Sequence, residues 1–240
     1  MTARRRRPVR ERRPRVEVRK SGSGKALRVE GTFASFYEPG SSVTGSVWDA
    51  IAAPILALPP SRRGRVLILG LAGGSAARVV RAIVPDAEIK GVELFPDIIE
   101  AAREHFDLDA LKIELVIGDA LEFLREDEGR YDLILEDIFV GVGRGVHKPG
   151  WLPLPGHELA RARLARGGLL VSNTLDEAAE VEASMGKLFP ATLKIEIDEY
   201  ENCVFVGGPS GLSAISLRAA VAKNPVLCGT LPQLSFRTVR

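Results

Sequence analysis

Between Arg65 and Gly208 the sequence alternates short apolar runs with amphipathic stretches, and only a few residues join one to the next. That alternation constrains the fold more than any other feature. A continuous apolar run such as RVLILG (65–70) suits a parallel strand covered on both faces, and further strands are predicted at 88–93, 112–118, 131–137 and 168–173. Helical periodicity fills the gaps at 73–84, 96–106, 121–126, 154–165 and 177–188. The closing runs LKIEIDEY (193–200) and NCVFVGG (202–208) lie too close together for a crossover, so they must pair antiparallel. The expected fold is α/β: a doubly wound, mostly parallel seven-stranded sheet with right-handed crossovers.

The flanking segments divide the rest of the chain. Residues 1–22 read as a basic arm expected to be disordered, since residues 1–20 hold ten Lys or Arg against two acids. Such an arm could meet nucleic acid, but no aromatic residues interleave its charges to stack on bases, and a solvated tail is the preferred reading. Residues 23–60 read as a β-hairpin around Gly31, then a helix capped by Thr44 that carries Trp48, Ile51 and Ile55. Residues 61–209 read as a Rossmann-like domain, expected to be nucleoside-binding from the strand-end residues described next, and 210–240 as a C-terminal helix with an irregular apolar tail. The hairpin and that tail could serve a homodimer or simply cover the core. Neither a membrane-length apolar run nor a secretory leader is evident, so no membrane partner is expected. With only Cys203 and Cys228 present, a reducing cytoplasm is expected rather than a disulfide framework.

The chemistry gathers where the predicted strands end. Gly70–Ser75 (GLAGGS) lies between strand and helix, and Gly70, Ala72, Gly73 and Gly74 there suit close approach of a ligand to backbone, or merely a tight turn. Glu93 ends the second strand about twenty residues on, where a carboxylate can accept both hydroxyl hydrogens of a ribose. Asp119 and Ala120 follow the third strand; an acid and a small residue there can meet the edge and face of adenine, though Asp119 would equally cap the next helix. The fourth strand ends in Glu136-Asp137, whose side chains must point to opposite faces. Asp137 is the candidate for the reacting end, able to hold an incoming amine and take its proton, and Glu136 is expected to face the helix layer or solvent. His147 and His157 occupy the following loop, where a surface role is the preferred reading. No Cys/His cluster has the spacing of a metal site, so no metal is expected.

Taken in order, these features resemble the aminopropyltransferase (spermidine synthase) family, which shares the class I methyltransferase fold. RVLILGLAGGSAARVV is similar to the family's first strand and glycine turn, and VELFPDIIEAAREHF (92–106) to its V-E-L-D-P segment. VIGDALEFLRED (116–127), YDLILEDIF (131–139) and RGGLLVSN (166–173) match its later strands. The likeness covers about residues 62–208. Gly73 stands where the family carries an Asp that contacts the donor's aminopropyl end, and Val140 where it carries a second acid for the amine. Ser46-Val47-Trp48-Asp49 replaces its Tyr-His-Glu element, offering Asp49 but no His. The pattern therefore looks like the divergent bacterial spermidine synthase-like branch.

The resemblance implies a polyamine-biosynthesis type of transferase. It would bind S-adenosylmethionine or its decarboxylated form as co-substrate and pass an aminopropyl group to a small-molecule amine acceptor. Because Gly73 removes a carboxylate that would repel the methionine carboxylate, an S-adenosylmethionine-dependent methyltransferase is the alternative. A non-catalytic adenosyl-binding protein is a further one, and an NAD-dependent dehydrogenase a distant fourth.

Overall fold

The computed structural model describes residues 13–239. Three antiparallel strands come first: β1 (Val16–Ser21), β2 (Gly24–Val29) and β3 (Thr32–Tyr37). The turn at Glu30-Gly31 has φ of 50° and 81°, the left-handed pair that a two-residue hairpin needs to follow strand twist. The small sheet therefore has one strand more than the predicted hairpin. Residues 16–21, assigned above to the disordered arm, form β1 because Val16 and Val18 pack with Leu27 against Ile98 and Phe106. Residues 1–12 of the arm lie outside the described residues.

Helix α1 (Val47–Ala52) begins at Ser46 rather than at Thr44. Thr44 acts in the opposite sense: its N–H and hydroxyl both donate to Asp49 Oδ1 at 2.8 Å.

The main sheet is built from β4 (Arg65–Leu69), β5 (Glu88–Glu93), β6 (Glu114–Ile117), β7 (Tyr131–Glu136), β8 (Leu164–Thr174), β9 (Ala191–Ile197), β10 (Cys203–Gly208) and β11 (Leu234–Thr238). Their order is β11-β9-β10-β8-β7-β4-β5-β6, parallel from β8 to β6 and antiparallel for the rest. The sheet thus has eight strands, not seven. The extra one, β11, comes from the tail expected to be irregular; its Leu234 is buried and Phe236 packs on the core, while the intervening side chains face outward.

Strand alternation sorts the two faces of the sheet. Val66, Ile68, Leu133, Leu135 and Val171 point toward α1, α2 (Ser75–Ile83), α3 (Pro96–His105) and α7 (Ala214–Lys223). Leu67, Leu69, Ile134 and Leu170 point toward α4 (Ala120–Glu126), α5 (Gly156–Ala162) and α6 (Ala178–Leu188). Both the small sheet and the C-terminal tail cover this core. Among the described residues no helix is long and apolar enough to cross a membrane.

Candidate active site

The glycine turn lies where β4 runs toward α2, against the tips of its neighbours. Gly70 has φ +83°, and a Cβ there would lie 2.6 Å from the Asp137 carbonyl oxygen, so backbone meets backbone between the ends of β4 and β7. The Ala72 N–H donates to Glu93 Oε2 at 3.0 Å, and the Phe95 N–H reaches Glu93 Oε1 at 3.3 Å. Burial pushes the Glu93 carboxyl up, and these N–H bonds pull against that shift. The structure thus brings together Glu93 and the turn, as the spacing predicted.

The Gly73 N–H donates to Ser35 Oγ at 2.7 Å, and a Cβ on Gly73 would sit 2.8 Å from Ser35 Cβ. Next along, Ser75 Oγ accepts the Phe36 N–H at 2.9 Å and donates to the Phe36 carbonyl at 2.8 Å. Strand β3 is therefore seated on the beginning of α2, where Ser75 and Ala76 are buried. The sequence reading missed Ser35, because nothing local to a short strand reveals which turn it covers.

Asp119 caps α4: its Oδ1 accepts from the N–H groups of Leu121 and Glu122, at 2.8 and 3.0 Å. Ala120 begins that helix, and both residues remain partly exposed at the end of β6.

Glu136 and Asp137 diverge as alternation requires. Glu136 enters the α5–α6 layer and is buried rather than solvated. Lys148 Nζ donates to its Oε1 at 2.7 Å and to the Ile138 carbonyl at 3.1 Å; Ser172 Oγ donates to Oε2 at 2.6 Å. The Ile138 N–H adds a bond to Oε1 at 2.8 Å, and Lys148 also lies over the Phe139 ring. Burial alone would raise the Glu136 carboxyl, but the Lys148 ammonium and His157, whose Nε2 lies 3.8 Å from Oε2, together outweigh it and hold the group well below the usual carboxylate range.

His157 is fully buried beside this pair, with Nδ1 3.1 Å from Ser184 Oγ, contrary to the expected surface position. It sits on the inward face of α5, within the helix predicted over 154–165, and is buried there because that face packs toward the sheet and α6. His147 is exposed, as expected.

Asp137 turns to the other face, half-buried, toward α1 and the small sheet. Asn173 Nδ2 donates to its Oδ1 at 2.8 Å and Trp48 Nε1 to its Oδ2 at 3.2 Å. Burial pushes its carboxyl up to about 6, against the pull of the Asn173 bond and the Lys148 charge. The Phe33 ring meets Trp48 edge-on at 5.0 Å. Beyond Asp137 the chain forms a narrow loop, with Val140 and His147 exchanging backbone bonds and the Gly143 N–H reaching the Glu30 carbonyl at 3.1 Å. The loop thus reaches across to the small sheet. Trp48, Asn173 and Lys148 were not singled out from sequence as site residues. Asp49, the acid left from the Tyr-His-Glu element, is fully buried and committed to Thr44 and Gly45, so it stands apart from Asp137.

This arrangement can do three things chemically. A carboxylate beside a glycine turn can grip a diol. A half-exposed acid with an elevated pKa can take a proton near neutral pH. A buried ion pair behind it holds the loop in place.

Comparisons with known proteins bear on the fold and on the relatives of the chain. No family model matches the chain. Over 152 residues it is 31% identical to a polyamine aminopropyltransferase of Chromobacterium violaceum, covering 58% of this chain and 54% of that protein. Over 145 residues it is 28% identical to an eEF1A lysine and N-terminal methyltransferase homolog of Drosophila melanogaster, covering 56% of this chain and 22% of that protein. The chain therefore spans about half the length of these curated relatives, or less. Among solved structures, a probable spermidine synthase from Corynebacterium glutamicum superposes with a TM-score of 0.72 at 19% identity, over 93% of this chain and 87% of that one. Human methyltransferase-like protein 13, in complex with SAH, does so with a TM-score of 0.61 at 21% identity, over 76% and 90%. In sequence the chain is similar to polyamine aminopropyltransferases and to methyltransferase homologs, and in fold it is similar to spermidine synthases and to a methyltransferase.

Proposed function

We propose that this protein is an alkyl transferase of aminopropyltransferase type, passing a carbon group from an adenosyl sulfonium to an amine. The observation that carries the reading is Asp137: a half-buried carboxylate at the tip of a central strand, beside the glycine turn, with no cationic partner within bonding distance among the described residues. Gly70, Ala72, Gly73, Gly74 and Glu93 would hold the ribose end of the donor, and Asp119 and Ala120 the adenine. The donor supplies an electrophilic carbon next to a positively charged sulfur. A neutral amine nitrogen attacks that carbon, and the C–S bond breaks with its electron pair passing to sulfur, leaving a thioether. The amine's proton passes to Asp137, and much of the acceleration comes from orientation.

The seating of β3 favours a sulfonium nucleoside over a dinucleotide. A pyrophosphate needs the open start of the helix after the glycine turn, and here Ser75, bonded to Phe36, is buried at that place.

One observation supports methyl transfer as the second reading. Position 73 carries no acid, and the Ser35 side chain occupies the space where a side chain on it would begin. The site therefore lacks the carboxylate that would reject a methionine carboxylate. Relatives of both kinds are found.

A thermal-shift and calorimetric panel with S-adenosylmethionine, its decarboxylated form, methylthioadenosine and NAD tests the reading. Stabilisation by the adenosyl sulfur compounds and none by NAD is expected; the reverse order sinks it. Preference between the two sulfonium donors decides between aminopropyl and methyl transfer. With an active donor–acceptor pair, the rate should rise through about pH 6 as Asp137 ionises. Asp137→Asn should lower turnover by about 10²–10⁴-fold with little change in donor affinity.

The same ionisation sets the sign for stability. Its folded pKa lies above the ordinary 3.8, so folding is weakened as pH rises from there to about 6. Asp137→Asn should therefore be at least as stable as the parent protein at pH 7.5.

A further inference from the structure

The tips of β7 and β8 carry matched pairs on opposite faces. On one face Glu136 meets Ser172 and is spent on the buried Lys148 pair. On the other face Asp137 meets Asn173, which is only 2% exposed yet makes two side-chain hydrogen bonds. Its Nδ2 donates to Asp137 Oδ1 at 2.8 Å, and its Oδ1 accepts from Asn202 Nδ2 at 3.0 Å. Asn202 comes from the turn between β9 and β10, and β10 pairs with β8, which places that turn beside the end of β8.

The second oxygen of Asp137 is taken by Trp48 Nε1, 89 residues away in sequence. Among the described residues each oxygen therefore receives one neutral N–H donor, one from β8 and one from α1. A carboxylate oxygen has about two lone-pair sites, so each keeps one for an incoming group.

Resting on the transferase reading above, we propose that Asn173 and Trp48 are positioning residues that hold the Asp137 carboxylate in one orientation for the amine, and that Asn202 fixes which end of the Asn173 amide faces it. The role of Asn202 follows from the symmetry of an amide. Were Asn173 reversed, its carbonyl oxygen would stand against a carboxylate oxygen, a repulsive contact once Asp137 is ionised. Asn202 donates to the Asn173 oxygen and so favours the productive end. A lysine or arginine in the place of Asn173 would also hold Asp137, but it would neutralise the charge and compete with the amine. An amide orients without neutralising.

Among the described residues, two charged groups act on Asp137. Glu136 is the preceding residue on the opposite face, and the Lys148 ammonium lies behind it in that same layer. Both are unaltered by changes at Asn173, Trp48 or Asn202, so these variants isolate the contribution of the neutral donors.

The test is titration of Asp137 in the full-length protein by carbon-13 carboxyl NMR, with its signal identified by its loss in Asp137→Asn. A wild-type midpoint near 6 is expected. Loss of one donor should raise it by about one unit in Asn173→Leu and in Trp48→Phe, and by less in Asn202→Ala. In turnover, Asn173→Leu should lower kcat by about tenfold or more, with methylthioadenosine affinity held within about threefold. A midpoint that does not move in Asn173→Leu and Trp48→Phe overturns the proposal, as does a kcat loss with an unchanged pH profile. Trp48→Phe provides the reading should Asn173→Leu not fold. Failure of the wild-type protein to bind methylthioadenosine in calorimetry would remove the transferase reading instead, while the titration would still report whether the amide holds Asp137.

Discussion

The two ends of the proposed site are built in different ways. At the proposed nucleoside end, Glu93 bonds to Ala72 and Phe95, and Asp119 bonds to residues two and three positions ahead of it. These are contacts within or between adjacent strand–turn–helix units. At the proposed reacting end, Asp137 is held by Trp48 from the first helix and Asn173 from β8, and the loop beyond it is pinned by Lys148 to Glu136. That end exists only once four separate stretches of chain have come together. The two ends meet along the β4–β7 contact, where Gly70 lies against the Asp137 carbonyl and the Asp137 N–H donates to the Leu69 carbonyl at 2.9 Å, and the small sheet touches both.

The comparison breaks most visibly at Lys148. Lys148→Met leaves the Glu136 carboxylate buried and unpaired, and about 3–5 kcal/mol of stability should be lost in urea denaturation at pH 7.5. The loss should shrink as pH falls. A carboxyl depressed in the folded state stabilises it above the ordinary carboxylate range, and that contribution disappears as acid protonates it. Adding Glu136→Gln should recover a large part of the loss. If Lys148→Met unfolds no more easily than the parent protein, the ion pair is not what holds the loop. If it weakens methylthioadenosine binding as much as stability, the two ends are not separable.

The converse change is Glu93→Gln, which keeps the shape but offers a diol one acceptor oxygen in place of two. Methylthioadenosine affinity should fall by roughly 10–100-fold in calorimetry, and the Asp137 titration midpoint should stay where it is. Unaltered affinity would show that the turn and Glu93 are a structural unit only.

The smallest effect sharpens the boundary between the small sheet and the turn. Gly73→Ala places a methyl group against Ser35 Cβ and should cost about 1–3 kcal/mol. Combined with Ser35→Gly the loss should be less than the sum of the two single changes, a coupling that a double-mutant cycle measures. Additive losses would mean that β3 does not bear on the turn as described.

Much of this molecule could be read from its residues in order. Five parallel strands and the helices between them appear where apolar runs and amphipathic stretches alternate, since a strand covered on both faces needs apolar side chains throughout. Gly70 and Glu93 could be paired from sequence because a glycine turn and the tip of the next strand stay within one repeating unit. Even the divergence of Glu136 and Asp137 follows from alternation. β1 and β11 were not legible: each is a short edge strand whose flanking charges and irregular surroundings hide an alternation of only two or three apolar residues.

Sequence by itself determined the sheet, the turn and the acids at the strand tips, because each is encoded within a few neighbouring residues. Only the tertiary structure decided what those acids do. It gave Glu136 a lysine twelve residues on, left Asp137 to two neutral donors, and set Ser35 against Gly73. The ionisation of a carboxylate depends on what surrounds it in space and how far water is excluded, and neither distance along the chain nor residue type carries that information.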